Sequence, residues 1–206
     1  VGGKEAIENT KSMARSGDAS MGGAFGDMSG TFEEKTILGK KAYTFLDLGV
    51  FNERQGFNGE IGWKVNSMEG ASELKGPDLE NIKTQLVIHP LASAWLEGGP
   101  NAIDALEDQK LEGETYHVFQ LTGAEGIKFY VDRESHLLSA ILLPISDPAL
   151  GDTIILVRLD DYKAYEGIML PDTQEVDVAA GTITIEYKYT ETSINPELDA
   201  ALFEKP

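Results

Sequence analysis

The stretch "QGFNGEIGWKVNS", Gln55–Ser67, decides how this chain is read. Asn58-Gly59 sits between two short β-forming runs, and both residue types tolerate positive φ, so the pair predicts a tight hairpin. On the second strand, alternation puts Ile61, Trp63 and Val65 on one face and Glu60, Gly62 and Lys64 on the other. Trp63 is one of only two tryptophans. The face it occupies is expected to be the apolar one.

Upstream, "KKAYTFLDLG" alternates in the same way, with Ala42, Thr44, Leu46 and Leu48 on one face. Earlier still, "RSGDASMGGAFGDMSG" reads equally as a loop or a weak strand. Residues 3–14 carry Ala6, Ile7, Thr10 and Ala14 at helical spacing. Downstream, "GPDLENIKTQLVI" switches to a helix with Pro77 at its first position and Leu79, Ile82 and Leu86 on one stripe. "PLASAWLEGG" predicts a second short helix carrying Trp95 and stopped by Gly98-Gly99.

The second half returns to strands joined by turns at Glu112-Gly113, Asp132–Ser135 and Glu166-Gly167. "GTITIEYKYTET" is the cleanest alternation, with Ile183, Ile185, Tyr187 and Tyr189 on one face. "INPELDAALFEKP" closes with a short helical turn expected to dock Leu198, Leu202 and Phe203. Short turns between successive strands imply antiparallel pairing. The fold class is therefore α+β: a strongly curved antiparallel sheet, an incomplete β-barrel, with helices covering the concave face. Residues 1–206 are read as a single domain of this kind, a size at which one core suffices.

Composition narrows the function. The net charge is −18, with the acids spread along the chain. A polyanion of this kind is repelled by nucleic acid and by anionic membranes, so no nucleic-acid partner is expected. The absence of cysteine removes disulfides and thiolate chemistry. No apolar run reaches the length of a membrane-spanning helix.

Catalytic signatures are absent as well. His89, His117 and His136 form no close metal pair, and His89 is expected to cap a helix start. Asp160-Asp161 point to opposite faces of a strand, and Glu33-Glu34 reads as an exposed pair. "LDDYKAYEG" lacks calcium-loop spacing. The chain is read as non-enzymatic, with no cofactor and no metal. What remains is a concave apolar surface. Its candidate lining residues are Phe57, Trp63, Trp95, Phe119, Phe129 and Tyr187. The competing reading is that each simply fills the core.

Several stretches together resemble the LolA outer-membrane lipoprotein-sorting family. They are Gly56-Phe57-Asn58-Gly59, Gly62-Trp63 and Leu74–Leu79, followed by Tyr130, Asp132, Leu137 and Leu138 in "YVDRESHLLSAIL". Asp161, Tyr162, Gly167, Leu170 and Pro171 in "DDYKAYEGIMLPDTQEV" continue the pattern. The opening "VGGKEAIENTKSM" and the ending "INPELDAALFEKP" complete it. The resemblance implies a half-barrel domain exported to the periplasm or envelope, with its signal peptide removed. In that family's carrier the concavity holds acyl chains. Arg54 lies nearest the region of the carrier's ligand-release arginine, without an assigned match. The implied ligand is a lipid, an acyl chain or a lipoprotein, bound by a monomer. The alternative is a non-catalytic interaction or accessory domain with a protein partner in the envelope.

Overall fold

Alternation of buried and exposed side chains governs most of this chain, and most of it is strand. The computed structural model describes residues 3–24, 26–89, 103–122, 126–147 and 151–206. A short helix, α1 (Lys4–Asn9), leads into β1 (Ser12–Gly23), β2 (Met28–Ile37), β3 (Lys41–Asp47), β4 (Asn52–Phe57), β5 (Gly62–Asn66) and β6 (Gly70–Glu73). Helix α2 (Pro77–Ile88) separates these from β7 (Ile103–Ala105), β8 (Gln109–Leu111), β9 (Glu114–Leu121) and β10 (Lys128–Val131). Then come β11 (Leu138–Asp147), β12 (Gly151–Tyr165), β13 (Ile168–Val178), β14 (Ile183–Ile194) and a 3-10 turn at Ala200–Phe203. The expected second helix at residues 90–99 lies outside the described residues.

The fourteen described strands form one open sheet in the order β6-β5-β4-β3-β2-β1-β14-β13-β12-β11-β10-β9-β7, with β8 also beside β9. Neighbours are antiparallel, as the short turns predicted. The two halves of the chain each make a local meander. They meet at a single seam, where Met13 on β1 pairs with Ile194 on β14.

The sheet bends strongly. Helix α2 touches β3 and β4 and also β11, which lies six places from β3 in the strand order. Six neighbour spacings would separate β3 from β11 by about 29 Å in a flat sheet. A helix roughly 10 Å across meets both only if the sheet curls towards it.

In the N-terminal third one expectation needs correction and one open choice is decided. The helix predicted over residues 3–14 ends at Asn9, and Ala14 belongs to β1. The Thr10 hydroxyl donates back to the Ala6 carbonyl oxygen at 2.9 Å, and burial then alternates through Met13 and Arg15. The glycine-rich stretch that follows is not a loop but most of β1 and the start of β2. Its glycines answer to crowding. A Cβ at Gly17 would lie 1.9 Å from the Lys188 carbonyl oxygen, and one at Gly30 would lie 1.8 Å from that of Asp47. Gly17 also adjoins a shift in the β1–β14 register. Glycine is what lets a strand bulge and bend at such close approaches.

The opening hairpin differs in detail. Phe57 pairs with Gly62, so the loop is the four residues 58–61 rather than a two-residue turn. Asn58 organises it, its side-chain oxygen accepting from the amides of Glu60 and Ile61 at 2.9 and 2.8 Å. Ile61 is consequently in the turn and 42% exposed, not a face-mate of Trp63.

Candidate functional site

Pair register sorts the side chains into two faces. Ala42, Phe57, Leu74, Ile82 and Leu86 pack together, which fixes one face as the α2 face. A Cβ at Gly62 would lie 2.9 Å from Leu79 of α2, so Gly62 and its partner Phe57 face the helix. Trp63 and its partner Gly56 face the other way. A Cβ at Gly56 would sit 2.5 Å from the Trp63 ring.

Trp63 is therefore not on the side shared by α2, contrary to its expected place on the concave face, although Val65 stays beside it as the alternation predicted. It packs with Tyr43 and Phe203, and its indole N–H donates to the Phe203 carbonyl oxygen. Leu198 and Leu202 join this cluster. The C-terminal turn docks as predicted, on the far side of the sheet from α2.

Register carries the α2 face across the sheet. Thr44 pairs with Glu34, and Glu34 with Arg15, which pairs in turn with Thr192. One step along, Phe32, Gly17 and Tyr189 form a row, followed by Ala19 and Tyr187, then Met28, Met21 and Ile185. Gln174 and Val176 extend these rows to Leu159 and Val157, then to Ile141, Phe129 and Phe119. Of the six predicted lining residues, Phe57, Phe119, Phe129 and Tyr187 share the α2 face. Trp63 is on the opposite face, and Trp95 lies outside the described residues.

The face is apolar towards both arms. One cluster gathers Leu121, Ile141, Leu143, Val157 and Leu159. Another gathers Ala19, Phe32, Leu48 and Tyr189. Phe119, Phe129, Tyr187, Met21, Ile155 and Ile185 on this face remain only half-buried. Near the β1–β2 tip, Ser20, Met21, Gly22, Asp27, Met28 and Ser29 line an open recess of about 330 Å³.

A polar belt crosses the apolar face. Arg15 is almost fully buried and forms an ion pair at 3.4 Å with Asp172, which is equally buried. Its guanidinium also donates to the Pro171 carbonyl oxygen at 2.6 Å and to the Thr192 hydroxyl at 3.1 Å. It lies 3.4 Å from the centre of the Tyr189 ring. Asp172 accepts from the Tyr165 hydroxyl at 2.6 Å and pairs with Lys163 at 2.7 Å. Such a site is held by hydrogen bonds on every side, as a buried ion pair requires.

Glu34 faces the same interior, so Glu33-Glu34 is not a jointly exposed pair. Glu33 turns away to pair with Lys35 at 2.7 Å. Burial pushes the Glu34 carboxyl up, opposed by the Arg15 charge and a Tyr189 hydrogen bond. Burial also raises the Tyr187 and Tyr189 phenols, and Tyr187 feels the charges of both Glu34 and Glu53. His89 ends α2 as its C-cap residue, and the helix start it was expected to cap lies outside the described residues. Burial and then the Arg15 charge hold its imidazole down to about 3.

Sequence reading missed Arg15, Glu34, Asp172 and Tyr189 as members of one site. The usable signal was alternation through Met13, Arg15, Gly17, Ala19 and Met21, hidden in a stretch dominated by glycine and serine. Among the described residues no group of three His, Cys, Asp or Glu side chains is placed to hold a metal. No described helix is long and apolar enough to cross a membrane.

An open antiparallel sheet curled towards a helix that touches both its arms is a half-barrel. Solved structures with this fold cover nearly the whole chain. A domain from Vibrio parahaemolyticus, provisionally named an outer membrane lipoprotein-sorting protein domain, is 12% identical over 98% of this chain and 93% of its own, with a TM-score of 0.59. A DUF1329 family protein from Desulfovibrio piger is 11% identical over 97% and 92%, with a TM-score of 0.63. A LolA superfamily protein from Nitrosomonas europaea is 12% identical over 98% and 94%, with a TM-score of 0.59. At these identities the likeness is one of fold, and none of the three is named for a catalytic activity. No protein-family model and no curated protein sequence matches the chain.

Proposed function

We propose that this protein is an exported, non-catalytic component of the bacterial envelope that binds the acyl or other apolar part of a lipid or lipoprotein. In this reading the α2 face is the concave, ligand-bearing side, with Phe57, Phe119, Phe129 and Tyr187 among its walls. One observation carries it. Met21, Phe119, Phe129, Ile155, Ile185 and Tyr187 share that face and are only half-buried. Apolar surface left half-open inside a curled sheet is the usual form of a site for an apolar ligand. The names of two fold neighbours, which refer to lipoprotein sorting and to LolA, favour the same reading.

The test is titration of the delipidated protein with a fluorescent fatty acid and a fluorescent lipopeptide. Saturable binding of at least one is expected. Ile185→Asp should abolish it with the far-ultraviolet spectrum intact, whereas Glu191→Gln, on the other face, should not. Absence of saturable binding by both probes overturns the reading.

One observation favours a second role, that of an interaction or accessory domain. Val50 and Met68 are 84% and 82% exposed at the tips of adjacent hairpins. The Ser67 amide donates to the Asn52 carbonyl oxygen at 3.0 Å, holding those tips together. Recovery of one stoichiometric envelope protein by the wild type, lost with Val50→Ser/Met68→Ser, is the outcome that role requires.

A further inference from the structure

The interior face is not uniformly apolar, and its polar groups discriminate between head groups. Arg15 is already committed. Asp172 neutralises it at 3.4 Å, and Thr192 and Pro171 take its other donors. Glu34 stands opposite Arg15 in register, yet no cation lies within 4.0 Å of it among the described residues. A carboxyl facing a partly dehydrated interior without a contacting cation is costly, and the more distant Arg15 charge and a Tyr189 hydrogen bond offset burial only in part.

Beside Glu34, two steps along β2, is Phe32. Its ring meets Tyr187 and Tyr189 edge to face, with centroids 4.8 and 5.0 Å apart. The face of Tyr189 is already occupied by the Arg15 guanidinium. That contact shows what these rings favour: aromatic faces attract cations, most strongly where water is excluded. Two strands over, on β4, stands Glu53, on the same face through its pairing with Leu46 and Asn66. Burial raises its carboxyl, opposed by the Lys64 charge and an Asn66 hydrogen bond. His89, at the end of α2, is held neutral and brings no positive charge of its own.

We propose that the α2 face takes an amphiphile whose head group is a primary or quaternary ammonium, held against Glu34 and the Phe32–Tyr187 ring pair. Its alkyl or acyl chain runs along the apolar strip of Met21, Ile185, Val176 and Val157. The inference rests on the apolar-ligand reading above and adds the charge of the head group.

The experiment is calorimetric titration of the full chain with three amphiphiles of equal chain length, below their micelle concentrations. They are dodecyltrimethylammonium, dodecyl maltoside and dodecanoate. The ammonium is expected to bind about tenfold more tightly than the maltoside. Glu34→Gln should remove that preference while leaving maltoside affinity unchanged. Because the chain carries a net charge of −18, general attraction is controlled with Glu191→Gln, an exposed acid on the other face. That variant should keep the preference.

Equal affinities for all three, or an equal loss in both variants, overturn the head-group inference and leave the apolar site standing. Preference for dodecanoate overturns it in favour of Arg15 as the head-group reader. Binding of none overturns both readings. Should Glu34→Gln fail to fold, Tyr187→Leu is the second variant, and retention of the preference there overturns the inference.

Discussion

The indole N–H of Trp63 donates to the backbone carbonyl oxygen of Phe203 at 2.8 Å, tying β5, one strand in from the sheet edge, to the C-terminal 3-10 turn. Phe203 is fully buried and Trp63 nearly so. Trp63→Ala should therefore cost about 3–5 kcal/mol. Trp63→Phe keeps most of the packing but orphans the carbonyl, at about 1–2 kcal/mol. Both losses are read by urea unfolding. Because Trp63 faces away from α2, binding of an apolar probe by the folded Trp63→Phe protein should be unchanged. A selective loss of affinity would place the ligand on the other face.

The buried pair of Arg15 and Asp172 makes a second test. Asp172→Asn leaves a guanidinium buried without its counter-charge and should cost about 3–5 kcal/mol. Replacing both, as Arg15→Met/Asp172→Leu, should recover most of that loss. A double variant no more stable than the single one would show that the other polar contacts of Arg15 dominate.

Glycine at the bends is a backbone requirement. Gly30→Ala drives a Cβ into the Asp47 carbonyl oxygen and should cost about 1–3 kcal/mol through forced backbone movement. Gly22→Ala is the control. Its Cβ meets only a side-chain oxygen of Asp27 at 3.4 Å, and stability should change little. Equal effects in the two variants would remove close approach as the explanation.

Two interior groups give pH dependences of opposite sign. The Glu34 carboxyl is raised above its ordinary 4.5 in the folded state, so the folded protein holds the proton more tightly. Its contribution is fully present below pH 4.5 and is lost as pH rises through the raised value. The His89 imidazole is lowered from 6.5 to about 3. Its contribution is present above pH 6.5 and is lost as pH falls from there towards 3. Denaturation series between pH 4 and 8 should therefore show Glu34→Gln flattening the decline on the rising side. His89→Gln should flatten the loss on the acid side. If neither slope changes, other groups control the dependence.

The antiparallel meander was legible because alternation and turn chemistry are local. "GTITIEYKYTET" put Ile183, Ile185, Tyr187 and Tyr189 together, and register bears this out. The docking of Leu198, Leu202 and Phe203 was legible for a similar reason, since an apolar turn at the chain end needs a surface to cover. The face given to Trp63 was not. A four-residue loop in place of a two-residue turn leaves the same residues on each face, and only tertiary packing shows which side α2 occupies. The polar belt was hidden for another reason. Arg15, Glu34, Asp172 and Tyr189 come from four strands, and their meeting depends on how β1 pairs with β14.

That seam also governs when the molecule can be completed. β2 to β6 and β9 to β13 join neighbours made within a few residues of each other, so each half can zip as it is synthesised. β1 must wait for β14, whose partner for Met13, Ile194, lies about 180 residues further along the chain. Closing so long a loop carries an entropic cost, and sheets built on such distant contacts fold slowly. Until then β1 is an unpaired edge exposed to aggregation. The two halves therefore cannot lock until β14 itself has been made.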